Sequence, residues 1–102
     1  MLELRPTCEN CNKALPPESQ EAMICTFECT FCVTCVEQVL HNVCPNCGGG
    51  FCVRPIRPRH DWVRGNCLAK YPASERQIHK PVDPDVHAEL LSAQAGLPPH
   101  AR

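Results

Sequence analysis

The sequence predicts a small α+β fold braced by metal, with one short helix and a small hairpin, followed by a largely irregular tail. Three observations carry this prediction. Ten of the 102 residues are cysteine, and all but Cys52 and Cys67 fall between Cys8 and Cys47. Aromatic residues make up only 5% of the chain, and domains short of apolar surface generally need disulfides, metals or partners to stay folded. After Phe51 the composition changes, and Arg54-Pro55-Ile56-Arg57-Pro58-Arg59 alternates arginine with proline as extended, weakly structured chain does. The organisation that follows is a double metal-binding domain at 1–53, an Arg/Pro-rich linker at 54–82, and a short amphipathic helix with its tail at 83–102.

The elements follow in order. Glu21 to Phe31 reads as the hairpin, with Met23, Ile24, Phe27 and Phe31 as its apolar residues. Thr34 to Val43 is the best helix, because Thr34 and Glu37 stand in capping-box relation and Val36, Val39, Leu40 and Val43 fall on one face. Asn42 can end it. Such a helix is marginal alone and must be held by packing. In the tail, Ser74 and Gln77 suggest a capped turn before Pro81. Asp83-Pro84 is a good cap and first residue for a helix from Pro84 to about Ala95, stopped by Gly96 and Pro98, with Val86, Leu90 and Leu91 as a narrow apolar stripe. Much of 54–102 is expected to be disordered, with docking of the tail helix on the domain or on a partner as the alternative.

The compartment bears on what the cysteines do. Met1-Leu2-Glu3-Leu4-Arg5-Pro6 lacks the charged and apolar regions of a secretory signal, and no apolar run approaches the ~20 residues of a membrane span. The expectation is a cytoplasmic protein with no membrane partner, in which cysteine pairs serve metal or catalysis rather than disulfides. The formal net charge of −1 conceals an asymmetry. Residues 1–50 hold Arg5 and Lys13 against six glutamates, whereas residues 51–102 hold eight Lys/Arg against five acids. That balance does not mark a general nucleic-acid binder.

The cysteines run Cys8-x2-Cys11-x13-Cys25-x3-Cys29-x2-Cys32-x2-Cys35-x8-Cys44-x2-Cys47. A Cys-x2-Cys turn brings two sulfurs to one side, and two such pairs complete a closed tetrahedral zinc site with no open position for catalytic water. Eight cysteines in four close pairs therefore suit two structural Zn2+ ions. Spacing alone permits a sequential grouping (Cys8/Cys11/Cys25/Cys29 and Cys32/Cys35/Cys44/Cys47) or an interleaved one.

Cys29-Thr30-Phe31-Cys32-Val33-Thr34-Cys35 leading into a helix, and the closing Cys44-Pro45-Asn46-Cys47, resemble a RING finger. The resemblance covers residues 8–47 and implies a treble-clef cross-brace: Cys8, Cys11, Cys32 and Cys35 at site 1, and Cys25, Cys29, Cys44 and Cys47 at site 2. Cys25 departs from the pattern, with three residues between it and Cys29 where RING fingers usually leave one. Met1-Leu2-Glu3-Leu4-Arg5-Pro6, Ile24-Cys25-Thr26-Phe27-Glu28-Cys29-Thr30-Phe31-Cys32 and Val43-Cys44-Pro45-Asn46-Cys47-Gly48-Gly49 are similar to a small bacterial cysteine-rich family, domain of unknown function 1272. That likeness implies a RING-like double zinc domain and brings no activity with it. RING fingers that serve ubiquitin transfer typically place an apolar residue just before the second cysteine and a basic one just after the last; Asn10 and Gly48 occupy those positions here.

Rival chemistries are weaker. Cys29-x2-Cys32-x2-Cys35 begins like a ferredoxin run, but the next cysteine follows after eight residues rather than three. A zinc-release redox switch is conceivable, since thiolates exchange disulfides. Catalysis has little support: of the spare thiols, Cys52 is expected to be a small buried hydrophobe and Cys67 an exposed one. His41, expected on a polar face, and His60, His79, His87 and His100 show no paired ligand spacing. Arg54, Arg57, Arg59 and Arg64 with Trp62 form a candidate anion-binding segment, phosphate meeting arginine and a base stacking on Trp62. The competing reading is a basic linker that folds back on the acidic zinc domain. The sequence thus predicts a non-enzymatic zinc-binding structural or interaction module whose partner is another protein, with a nucleic-acid-associated zinc protein or an iron–sulfur or zinc-redox sensor as alternatives.

Overall fold

Strand β1 (Ala22–Ile24) pairs antiparallel with β2 (Thr30–Cys32) and with β3 (Cys52–Val53), so the sheet order is β2-β1-β3 in the computed structural model of residues 1–102. The register sets Ala22 opposite Cys32, Met23 opposite Phe31 and Ile24 opposite Thr30. Ala22 and Ile24 alternate inward around half-buried Met23, and buried Phe31 meets Phe51 edge to face at 5.5 Å. Phe27 does not join this apolar set. It sits in the connecting loop Cys25–Cys29 and is 70% exposed. The loop closes through Cys25 N–H to the Cys29 carbonyl (3.3 Å) and Glu28 N–H to the Cys25 carbonyl (3.0 Å), with Glu28 at φ 66°.

The chain passes directly from β2 into α1 (Val33–Cys35), which continues as a π-helical turn, Val36–Leu40. The expected Thr34 cap is not formed. Cys32, the last residue of β2, stands at the cap position without a side-chain capping bond, Thr34 falls inside the helix, and the first orphan donor, Val33 N–H, is taken by the Glu21 carbonyl at 2.8 Å. The wider π turn also alters the apolar face. Val36 and Leu40 are buried, whereas Val39 turns to solvent. His41 (φ 51°) and Asn42 (φ 60°) end the helix in left-handed conformation, and Val43 is buried beyond them.

The core is small and sulfur-rich. Six of the eleven residues in its central cluster are cysteines: Cys8, Cys25, Cys29, Cys32, Cys35 and Cys44.

Residues 54–82 hold no helix or strand, as the arginine–proline pattern implies, but they are not a detached linker. They form a belt around residues 1–53. Ser74 N–H donates to the Leu4 carbonyl (3.0 Å) and Lys80 N–H to the Glu9 carbonyl (2.7 Å). The suggested turn at Ser74 is replaced by a tether: the Ser74 hydroxyl and the Arg76 guanidinium both donate to Glu3. Expected disorder gives way because backbone pairing with the N-terminal segment satisfies groups that an apolar pattern does not reveal.

Helix α2 (Pro84–Gln94) begins as expected, with Asp83 accepting from Asp85 and Val86 N–H, and ends at Ala95 in left-handed conformation. Its docking face differs from the expected stripe. Val86 is 61% exposed, and the covered positions are His87, Leu90, Leu91 and Gln94. His87 Nε2 lies 2.8 Å from the Leu40 carbonyl, and Gln94 Nε2 donates to the Gly48 carbonyl at 2.8 Å. Two polar residues thus anchor the helix by meeting carbonyls at the end of the π turn and in the last cysteine turn. No helix is long and apolar enough to cross a membrane.

Candidate metal centre

Each cysteine pair is positioned by a short backbone device. In the first, Asn12 N–H donates to the Cys8 carbonyl and Cys8 N–H to the Lys13 carbonyl, with Asn12 at φ 63°. In the last, Gly48 N–H donates to the Cys44 carbonyl and Cys44 N–H to the Gly49 carbonyl, with Gly48 at φ 78°. A left-handed residue directly after the second cysteine closes both turns, and Asn and Gly are the residues that adopt it most readily. Cys32 ends β2 and Cys35 ends α1, so the third pair spans the strand-to-helix junction. Cys25 and Cys29 face one another across the hairpin loop.

The fold gathers these sulfurs into two groups that alternate along the chain. The sulfurs of Cys8, Cys11, Cys32 and Cys35 all lie within 4.8 Å of one another, as do those of Cys25, Cys44 and Cys47. All ten cysteines are free thiols. Cys11 Sγ and Cys32 Sγ are 3.8 Å apart, far beyond a disulfide bond of ~2.05 Å. Four sulfurs at ~2.3 Å from one ion would be separated by about 3.8 Å along each tetrahedral edge. The first group therefore fits a metal ion. Cys29 stands beside Cys25 and Cys44 but outside the set whose sulfurs are mutually within 4.8 Å. Cys29 follows the three-residue loop in which Glu28 is left-handed, the place where the sequence departs from the RING spacing.

Electrostatics oppose ionised clusters in the absence of a cation. Burial pushes the thiols of Cys29 and Cys32 up, and drives those of Cys35 and Cys44 far up, with neighbouring cysteines adding repulsion. Burial also acts on Cys11, but hydrogen bonds from the Lys13 backbone and neighbouring thiols bring it down. A divalent ion reverses this balance by favouring thiolate over thiol.

Three residues the spacing did not single out support the clusters. Asn10, between Cys8 and Cys11, donates to Cys35 Sγ (3.3 Å) and accepts from Val82 N–H (2.9 Å). Asn46, between Cys44 and Cys47, donates its N–H to Cys44 Sγ (3.4 Å) and its side-chain amide to Glu9 (3.4 Å). Glu9 is buried; it accepts from Thr30 N–H at 2.6 Å and pairs with Arg5 at 3.0 Å. These are outer contacts of the kind that orient metal ligands, and their only sequence signal is an asparagine before the second cysteine of two Cys-x2-Cys turns.

The candidate anion-binding set divides. Arg54 is 1% exposed, and its guanidinium donates to the carbonyls of Arg5 (2.9 Å), Leu15 (3.2 Å) and Pro16 (3.1 Å). Arg57 donates to the carbonyls of Tyr71 (2.7 Å) and Leu2 (2.8 Å). Both fold back on residues 1–53 and are unavailable to a ligand, because each guanidinium fork already spans backbone acceptors. Arg59, Arg64 and Trp62 remain exposed. The spare thiols exchange expectations: Cys52 is exposed on the edge strand β3 and Cys67 is buried. His41 is exposed at the helix end.

A small α+β protein with two cysteine groups able to hold metal ions is what fold and site define. Residues 1–57 match the family described as protein of unknown function (DUF1272), and the chain belongs to that family. It is 54% identical over 81 residues to an uncharacterised protein of Rhizobium meliloti (strain 1021), an alignment covering 79% of this chain and 89% of that protein. The shared length exceeds residues 1–57, so the similarity runs beyond the family region. No solved structure matches.

Proposed function

We propose that both cysteine groups bind Zn2+, that Cys29 is the fourth ligand of the second, and that the ions brace a non-enzymatic module for binding another protein. The observation that carries this reading is the 3.8 Å separation of Cys11 and Cys32 sulfurs within a cluster of four. An all-thiolate set suits zinc and leaves no open coordination position for catalysis. The alternating grouping supports the RING-like cross-brace. A modest side-chain rotation at Cys29, already against Cys25 and Cys44, would complete the second tetrahedron.

Elemental analysis of the purified chain tests the reading. Two zinc ions per chain and a colourless protein are expected. Bound iron with visible absorbance, or a single ion per chain, would overturn it.

A further inference from the structure

Residues 58–71 form a closed loop on the belt. Leu68 N–H donates to the Pro58 carbonyl at 2.9 Å, and inside this closure Asn66 N–H bonds the Val63 carbonyl and Gly65 N–H bonds Asp61 Oδ1 at 2.7 Å. Lys70 and Tyr71 N–H both bond the Cys67 carbonyl, and Cys67 is buried, so the loop is anchored at its base. Its tip faces solvent. Trp62 is 76% and Val63 59% exposed, and Arg59, His60, Arg64 and Lys70 are exposed around them. His60 meets the Trp62 ring edge to face at 6.1 Å, and the Lys70 stem lies against Gly65, beside Arg64.

We propose that this loop is a binding site for single-stranded nucleic acid, with a base stacked on Trp62 and backbone phosphates paired with Arg59, Arg64 and Lys70. None of these three cations has a carboxylate partner, unlike Arg5, Lys13 and Arg76. The one acid in the loop, Asp61, has an oxygen engaged by Gly65 N–H. Lys70 Nζ rests 5.4 Å from the centroid of the Tyr71 ring, a contact that leaves its charge uncompensated, and an exposed aromatic among cations without carboxylate partners matches the alternation of base and phosphate along a single strand. Two exposed apolar side chains on a loop are too little to hold a bilayer by insertion, which takes an amphipathic helix face or lipid anchors. The assignment does not depend on which metal the clusters bind.

Trp62 is the sole tryptophan of the chain, so its fluorescence reports this site directly. The full-length protein is titrated at low salt with a short oligothymidylate, an oligouridylate and duplex DNA, and separately with anionic phosphatidylserine vesicles. Quenching of Trp62 by single strands is expected, with weaker binding to duplex. With three phosphate contacts, the log–log salt slope should be about −2. Followed by anisotropy of a labelled oligonucleotide, Trp62→Ala should weaken binding by about five- to a hundredfold. Arg64→Ala should weaken it and flatten the salt slope. All of these side chains are exposed, so the variants should keep their metal content and circular dichroism. Absence of quenching and anisotropy change at micromolar protein, preference for duplex, affinity unchanged in Trp62→Ala, or a blue shift with vesicles alone would each overturn the proposal.

Discussion

Replacing Arg54 with alanine separates a structural from a ligand-binding role for the arginine segment. The guanidinium is 1% exposed and makes three hydrogen bonds to carbonyls of two segments, Arg5 and Leu15–Pro16. It has no carboxylate partner, and its Nε has no acceptor. Desolvation accordingly lowers its affinity for the proton, which subtracts from its net contribution. Truncation removes the charge but strands the acceptors it served, each costing about 1–3 kcal/mol when buried, and it deletes the packed aliphatic stem. Some of those carbonyls can recover water, so the expected loss is about 3–5 kcal/mol. Arg54→Lys should recover only part of this, because one ammonium cannot span acceptors that the fork reaches with two nitrogens. Arg59→Ala, in solvent, should stay within about 0.5 kcal/mol of wild type. Denaturant unfolding at saturating zinc, followed by far-ultraviolet circular dichroism, measures all three. An Arg54→Ala protein as stable as Arg59→Ala would refute the buried clamp.

With zinc bound as proposed, chelation should unfold residues 8–47 cooperatively, since a structural zinc contributes roughly 10–16 kcal/mol to folding; a circular dichroism spectrum unchanged after complete metal removal would contradict this. Cys32→Ser should lose one ion and most of the fold, whereas Cys29→Ser, at the looser corner, should retain the second ion with weakened affinity, as chelator competition would show. Glu3 is held down to about 2, chiefly by the Arg76 guanidinium, with Ser74 and Arg5 assisting against desolvation. Its folded value lies below its ordinary 4.5, so its tether to the belt is fully present above that value and is lost as pH falls toward about 2. Glu3→Gln imitates the loss at neutral pH and should speed hydrogen exchange at the Ser74 amide, which bonds the Leu4 carbonyl. Gly48→Ala and Gly96→Ala should each cost about 1–2 kcal/mol for left-handed backbone. Only Gly48→Ala should loosen α2, because its Cβ would lie 2.9 Å from Gln94 Nε2 while Gly96 is open; exchange rates along α2 distinguish them.

What the sequence disclosed and what it concealed follow from where the information lies. Metal ligands are side chains at short spacings, so the eight candidate cysteines were legible, but spacing left their grouping open and only the likeness to a RING finger implied the alternation that seven of them show. Helix α2 was legible because Asp83 and Pro84 act locally on the backbone they begin. Its docking face was not, because His87 and Gln94 dock through carbonyls of Leu40 and Gly48, and a carbonyl leaves no trace in residue type. Arg54 was misleading for the same reason: its acceptors at Arg5, Leu15 and Pro16 are backbone atoms distant in sequence. The Thr34 cap is absent because β2 runs directly into a helix that begins at Val33, which places Thr34 inside it. Cys52 and Cys67 show that a thiol's burial depends on which strand edge or loop base receives it.

The two asparagines give the belt its meaning. Asn10 and Asn46 occupy the same place in their turns, directly before the second cysteine. Each donates to a sulfur of a cysteine cluster, Asn10 from its side chain to Cys35 and Asn46 from its backbone to Cys44. Each also meets the belt, Asn10 through Val82 N–H and Asn46 through the Lys80 ammonium at 3.5 Å. Glu9 joins the pair, accepting from Asn46 while its carbonyl takes Lys80 N–H. Residues 80–82 therefore lie against both cysteine turns at once, and the belt cannot lift from one without loosening contacts at the other. A chain whose core is largely cysteine gains rigidity from this arrangement at little cost in apolar area. It also means that the cysteine-rich half and the basic loop are held in fixed relation by the belt, so an occupant of the Trp62 loop would be presented on an ordered frame rather than on a free tail.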